Sequence, residues 1–97
     1  MTSEERRVRI PYRLGTDNYC VYEEDGGEVH MGDMVTVVYD TRFGQSECGG
    51  ELLYVKYDWE GYIDSVTLFP SGDNCVIDVY CPGDMVFYRM EDEHGAD

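Results

Sequence analysis

After its first 14 positions this chain has almost no positive charge. Arg6, Arg7, Arg9 and Arg13 precede Gly15, and only Arg42, Lys56 and Arg89 follow it, against all but two of the 21 acidic residues. The formal net charge is -14. A field of that sign repels nucleic acid and anionic membrane, and it attracts basic protein surfaces and speeds encounter with them. Direct binding of DNA or RNA is therefore not expected. Long apolar runs are missing too: no stretch reaches the roughly 18 residues that a membrane-spanning helix needs. Residues 1–13 hold no apolar core of an export signal, so the chain is expected to stay in the cytoplasm.

Catalytic and metal-ligating groups are equally sparse. The only imidazoles are His30 and His94, one within an apolar-polar alternation and one in an acidic tail. No serine sits in a nucleophile-elbow context. The four cysteines, Cys20, Cys48, Cys75 and Cys81, contain no C-x-x-C pair, and without an export signal they read as free thiols rather than two disulfides. Cys48, beside Glu47, lacks the electropositive surroundings of a reactive thiolate. The acidic clusters at 23–25 and 91–93 match no calcium-loop pattern, and no glycine-rich phosphate loop is present. The expectation is a non-enzymatic protein with no cofactor and no metal site.

What is present is a strand-forming pattern. Ninety-seven residues with 42% hydrophobic and 13% aromatic content can support one folded core, so the acidity belongs to a globular domain spanning 1–97, with its β core at 8–90 and frayed ends at 1–5 and 91–97. Helical spacing of apolar residues is absent, and Gly or Pro breaks nearly every candidate helix. Val8, Ile10, Tyr12 and Leu14 alternate with Arg7, Arg9, Pro11 and Arg13, which predicts an edge strand with one apolar and one basic face. Further strands are predicted over 19–22, 28–31, 34–39, 51–57, 62–69, 75–81 and 85–90. The stretch 34–39 is dense in β-branched residues and suits a central position. Alternation places Cys75, Ile77, Val79 and Cys81 on one apolar face. Residues 40–50, with three glycines, predict a mobile loop, and 58–61 a hairpin turn. Gly32-Asp33-Met34-Val35 and Gly83-Asp84-Met85-Val86 are identical tetrapeptides, each opening a strand through Gly-Asp turn chemistry. The predicted class is all-β: a small barrel or sandwich of about six to seven short antiparallel strands, with an SH3-like barrel as one form that fits.

The acidic residues recur in nearly every turn and strand edge, and a rigid β-scaffold can hold carboxylates at spacings comparable to backbone phosphates. Tyr54, Tyr57, Trp59 and Tyr62 gather around one hairpin, and amphipathic rings among charges supply interface anchors that also stack on arginine. The candidate contacts are therefore Glu23, Glu24, Asp25 and Glu28 in one loop, Asp40, and Tyr57, Asp58, Trp59, Glu60 and Tyr62 at the hairpin. The arginine-rich edge strand offers a route to a homodimer, set against another subunit's acidic surface.

In short length, extreme acidity and lack of catalytic groups, the chain resembles small phage-encoded anti-defence inhibitors, including anti-CRISPR and anti-restriction proteins that mimic nucleic acid. That resemblance implies an inhibitor acting in the host cytoplasm on a basic, nucleic-acid-binding surface. Separately, residues 32–38, 51–57 and Trp59-Glu60-Gly61-Tyr62-Ile63 are similar to the strand order and Gly-Tyr-Ile segment of SH3-like barrels. The Ala-Leu-Tyr-Asp-Tyr type segment is missing, and Asp64 stands where a proline is usual. This second resemblance implies an adaptor module that binds a basic or proline-rich peptide in an aromatic groove. An enzyme using Cys48 as nucleophile is the third reading.

Overall fold

Residues 34–38 and 63–67 are dense in β-branched side chains, and both stretches lie in the sheet. In the computed structural model, which describes residues 7–72, 74–80 and 84–90, five strands follow one another: β1 (Met34–Thr41), β2 (Gly44–Tyr57), β3 (Ile63–Phe69), β4 (Ile77–Tyr80) and β5 (Met85–Arg89). They make one antiparallel sheet in the order β4-β3-β2-β1-β5. The described residues contain no helix, so none is long and apolar enough to cross a membrane.

β1 holds the predicted central position between β2 and β5, with Val35 and Val37 fully buried. Period-two alternation puts Val35 and Val37 of β1, Val66 and Leu68 of β3, Val79 of β4 and Phe87 of β5 in one core, and the register shift at Leu52/Tyr54 lets both Leu52 and Val55 of β2 join them. Ile10, Cys20, Tyr22 and Val29 from the N-terminal third complete that core. Each fully buried aliphatic or aromatic side chain contributes about 1.5–3 kcal/mol of hydrophobic stabilisation.

β4 ends at Tyr80 and β5 begins at Met85, yet these are the two edges of the sheet. Edges of a flat five-stranded sheet lie about 19 Å apart. Five Cα steps reach at most about 18 Å. The sheet therefore curls, and shifts in pairing register at Leu52/Tyr54 and Lys56/Tyr57 bend β2 along its length. It remains open, and the expected closed barrel or two-sheet sandwich is not formed.

The strand count is also lower than expected. Residues 8–31 make isolated bridges, Arg9 with His30, Pro11 with Tyr19, Arg13 with Tyr62, Val21 with Glu28 and Tyr22 with Phe87, instead of continuous strands. Pro11 has no N–H for a ladder, and closely spaced turns at 14–17 and 23–25 leave no run long enough to pair.

Residues 40–50 are not a loop. β1 and β2 continue as a ribbon to a tight turn at Arg42 and Phe43, with Thr41 Oγ1 donating to the Gly44 carbonyl at 2.7 Å. The glycines serve close approach here: a Cβ on Gly50 would lie 2.8–2.9 Å from backbone atoms of Phe69 and Pro70, so only glycine lets β3 leave β2 at that point. Cys48 is thus a strand residue packed against the core. In the 75–81 segment Val79 is buried as expected, but Cys75 is exposed and precedes β4, and Ile77 is 36% exposed. An edge strand of four residues has no neighbour to bury both ends. Cys81 and the predicted frayed ends lie outside the described residues.

Candidate protein-interaction site

The β2–β3 hairpin is built around Asp58. Its Oδ1 accepts the N–H groups of Glu60 at 2.9 Å and Tyr62 at 3.0 Å, and its own N–H donates to the Tyr62 carbonyl at 2.7 Å. Such a side-chain-to-backbone lock is what aspartate supplies to turns. Gly61, at φ +93°, completes the turn in a conformation that other residues adopt only under strain. The locked turn leaves Trp59 92% exposed at its tip, with Glu60 exposed beside it.

The N-terminal segment runs along the base of this hairpin. The Tyr57 hydroxyl donates to the Pro11 carbonyl at 2.9 Å, and Leu14 N–H donates to the Gly61 carbonyl at 2.8 Å. Burial, aided by nearby Cys20, pushes the Tyr57 phenol up to about 12. Tyr62 meets Tyr12 edge to face, with centroids 5.9 Å apart, and the Arg13 guanidinium lies 4.8 Å from the Tyr62 ring centroid. Tyr12, Asp58, Glu60, Tyr62, Ile63, Asp64 and Asp84 line an open hollow of about 270 Å³. Partial burial, the Asp84 charge and a hydrogen bond to Asp84 keep the Tyr12 phenol protonated beyond its ordinary range. Four carboxylates and two tyrosine rings around one hollow suit a guanidinium or ammonium guest, and Arg13 shows the stacking mode such a guest would use.

The chain matches no known family model, curated protein or solved structure. Its own residues carry the functional argument.

The other predicted contacts lie elsewhere. Glu24 Oε1 accepts the Arg89 main-chain N–H at 2.7 Å, and Asp25 Oδ2 accepts Arg89 Nε at 2.8 Å while its Oδ1 caps Gly27 N–H at 2.8 Å. The Arg89 guanidinium in turn lies 4.0 Å from the centroid of the Tyr22 ring. Glu23 is held through its main chain, donating to the Phe87 carbonyl at 2.9 Å. Glu28 pairs with Arg9 at 3.5 Å and lies 3.4 Å from His30 Nε2. This loop is clamped to β5 and to the N-terminal segment, and two of its carboxylates, Asp25 and Glu28, are paired with arginines. Asp40 sits on β1 opposite Gln45, toward the other end of β2 from Trp59. The structure thus brings together Tyr57, Asp58, Trp59, Glu60 and Tyr62 and separates them from 23–28 and Asp40.

The hydrogen bond to Arg89 holds the Asp25 carboxyl below its ordinary value. A carboxylate with a depressed folded-state pKa contributes stability that is complete above about pH 4 and is lost as pH falls through the lowered value. Lowering pH from 6 to 3 is therefore expected to reduce the protection factors, amide exchange relative to the intrinsic rate at each pH, of Gly27 and Arg89. Asp25→Asn should remove that acid-dependent step; an unchanged step would assign it to another carboxylate.

Sequence reasoning missed one cluster altogether. Asp33 accepts Tyr22 Oη at 2.8 Å and His30 main-chain N–H at 3.0 Å, and pairs with Arg7, whose Nη2 also lies 3.3 Å from His30 Nδ1. The repeated Gly-Asp-Met-Val was the available signal. Met34 and Met85 do open β1 and β5, and the aspartate before each one takes a tyrosine phenol, Tyr22 at Asp33 and Tyr12 at Asp84. Neither half of the repeat offers a nucleophile. Burial pushes the Cys20 thiol up to about 12, and no cluster of three or more metal-ligating side chains occurs among the described residues.

Proposed function

We propose that this protein is a non-enzymatic binding protein. It engages a basic, nucleic-acid-binding surface of a partner by presenting carboxylates in place of phosphates, in the manner of an acidic inhibitor. The observation that carries the reading is the locked β2–β3 turn, which holds Trp59 92% exposed beside a hollow lined by Asp58, Glu60, Asp64 and Asp84. A large aromatic left in water at a rigid tip is an interface anchor awaiting a partner, and carboxylates around it select a cationic one. Arg7, Arg9 and Arg13 are each engaged within the chain, by Asp33, by Glu28 and Tyr19, and by Tyr62. The basic N-terminal segment therefore offers little for a homodimer, and a heterologous partner is preferred.

The test is salt dependence. Affinity for a partner isolated by co-purification should fall steeply as salt rises, and Glu60→Lys should weaken it more than reversal at Glu93. Affinity constant across salt, or equal effects at the two sites, would overturn the reading.

A second reading is an SH3-like module taking a basic or proline-rich peptide. It draws support from the strand order, in which the last strand returns to pair with the first, and from the long bent β2. Under it, Trp59→Ala abolishes peptide binding while Glu60→Lys has little effect.

A further inference from the structure

β3 pairs with β2 only from Glu51 onward, because Phe69 is opposite Glu51 and the chain then turns away at Pro70. Among the described residues, the first part of β2, beyond that point, pairs on one side only. Which of its groups are left over follows from the ladder. Leu52 gives its N–H to Asp33 and accepts from Gly32, on the β1 side, while Met34, opposite Glu51, directs its carbonyl to Met90 beyond β5. Hydrogen bonding alternates along a strand. Ser46, Cys48 and Gly50 therefore face β1, and the N–H and C=O groups of Gln45, Glu47 and Gly49 face an edge with which no strand among the described residues pairs.

We infer that the Gln45–Glu47–Gly49 edge is a strand-addition site for an extended segment of a partner bearing lysine or arginine at alternate positions. Unpaired backbone groups in a row are a template for another strand. Charge decides which strand. Gln45, Glu47 and Glu51 lie on one face of β2, shared with Asp40 across the ladder, and between Met34 and Glu51 the one basic side chain is Arg42 at the tip. A second copy pairing antiparallel about Glu47 would set Glu47 against Glu47, and like charges directly opposite oppose pairing. The net charge of -14 works in the same direction. A cationic strand places a positive charge beside Glu47 instead. The surface is separate from the Trp59 turn, which lies at the other end of β2, although the same acidity selects the occupant of both.

The test uses the full chain and a peptide of about seven residues alternating lysine and threonine. Amide exchange at Gln45, Glu47 and Gly49 should slow by about tenfold or more at saturation, with the amides of Ser46 and Cys48 little changed. Glu47→Pro removes an outward N–H without touching the β1 ladder and should weaken the peptide by about tenfold. A peptide N-methylated at alternate residues should bind less well by a similar factor, which keeps the test independent of how the variant folds. Equal protection by a glutamate-threonine peptide or by the N-methylated one would overturn the inference. So would protection that rises with protein concentration alone, which would assign the edge to a second copy. Trp59→Ala should leave peptide protection intact. Peptide effects confined to residues 58–62 would sink the edge site and leave the Trp59 reading standing.

Discussion

Asp33→Ala is expected to destabilise the protein by about 1–3 kcal/mol, the cost of leaving a buried donor without its acceptor. The Asp33 side chain is 9% exposed and serves the Tyr22 hydroxyl, the His30 main-chain N–H and the Arg7 guanidinium. Removing it leaves the phenol of Tyr22, a residue 1% exposed, without an acceptor, and releases the N-terminal segment where Arg7 ties it to the loop before β1. Burial and the Asp33 hydrogen bond both push the Tyr22 phenol upward, so it remains a donor and cannot relieve the loss by ionising. Asp33→Asn, which keeps the shape and one acceptor, should retain a large part of the stability. Tyr22→Phe should cost about 1–2 kcal/mol, because it removes the donor and leaves a carboxylate that Arg7 still pairs. Urea unfolding of the two single variants and the double variant measures the coupling between them. A loss below about 1 kcal/mol for Asp33→Ala would show that the network behaves as a surface ion pair.

Trp59→Ala should weaken partner binding by about 2–4 kcal/mol, or about 30- to 1000-fold, while leaving unfolding stability within about 0.5 kcal/mol of the parent. The two halves of that expectation come from one observation. At 92% exposure Trp59 contributes almost nothing to the core, and the Asp58 lock forms without its side chain. Isothermal titration against the purified partner and urea unfolding of the free protein separate the two effects. Trp59→Phe, which keeps a planar anchor, should recover part of the affinity. Binding unchanged in Trp59→Ala would move the interface away from this hairpin, and a large stability loss would make Trp59 a structural residue. Glu60→Lys, compared in the same titration, distinguishes charge mimicry from an SH3-like groove, since only mimicry makes both substitutions costly.

How legible the fold was depended on how local its cause is. Residues 34–39, rich in valine, and 62–69, following directly on a hairpin turn, identify strands because their own composition and the adjoining turn are enough to mark them. The turn at 58–61 was readable for the same reason, since aspartate and glycine at fixed offsets close it without help. Residues 40–50 misled, because Gly44, Gly49 and Gly50 signal a loop locally, while Gly50 is required by the Phe69–Pro70 backbone pressing against it. Residues 8–31 misled in the opposite direction: their alternation is real, but a strand exists only when consecutive residues find a partner, and their turns allow single bridges alone.

The charge followed the same division. The sequence by itself determined that the body of the chain is acidic, that its first strand-like segment is basic, that the fold is all-β, and that carboxylates and aromatic rings converge on one hairpin. Composition and short-range pattern contain all of that. Only the tertiary structure decided which of those charges are spent. Arg7, Arg9, Arg13 and Arg89 come from distant positions to meet Asp33, Glu28, Tyr62 and Asp25, so the apparent polarity of the molecule is largely satisfied inside it. Glu60 at the Trp59 turn and Glu47 on β2 are exposed. Ion pairs across the fold depend on distances that no local pattern encodes, and a free strand edge appears only once the neighbouring strand has turned away.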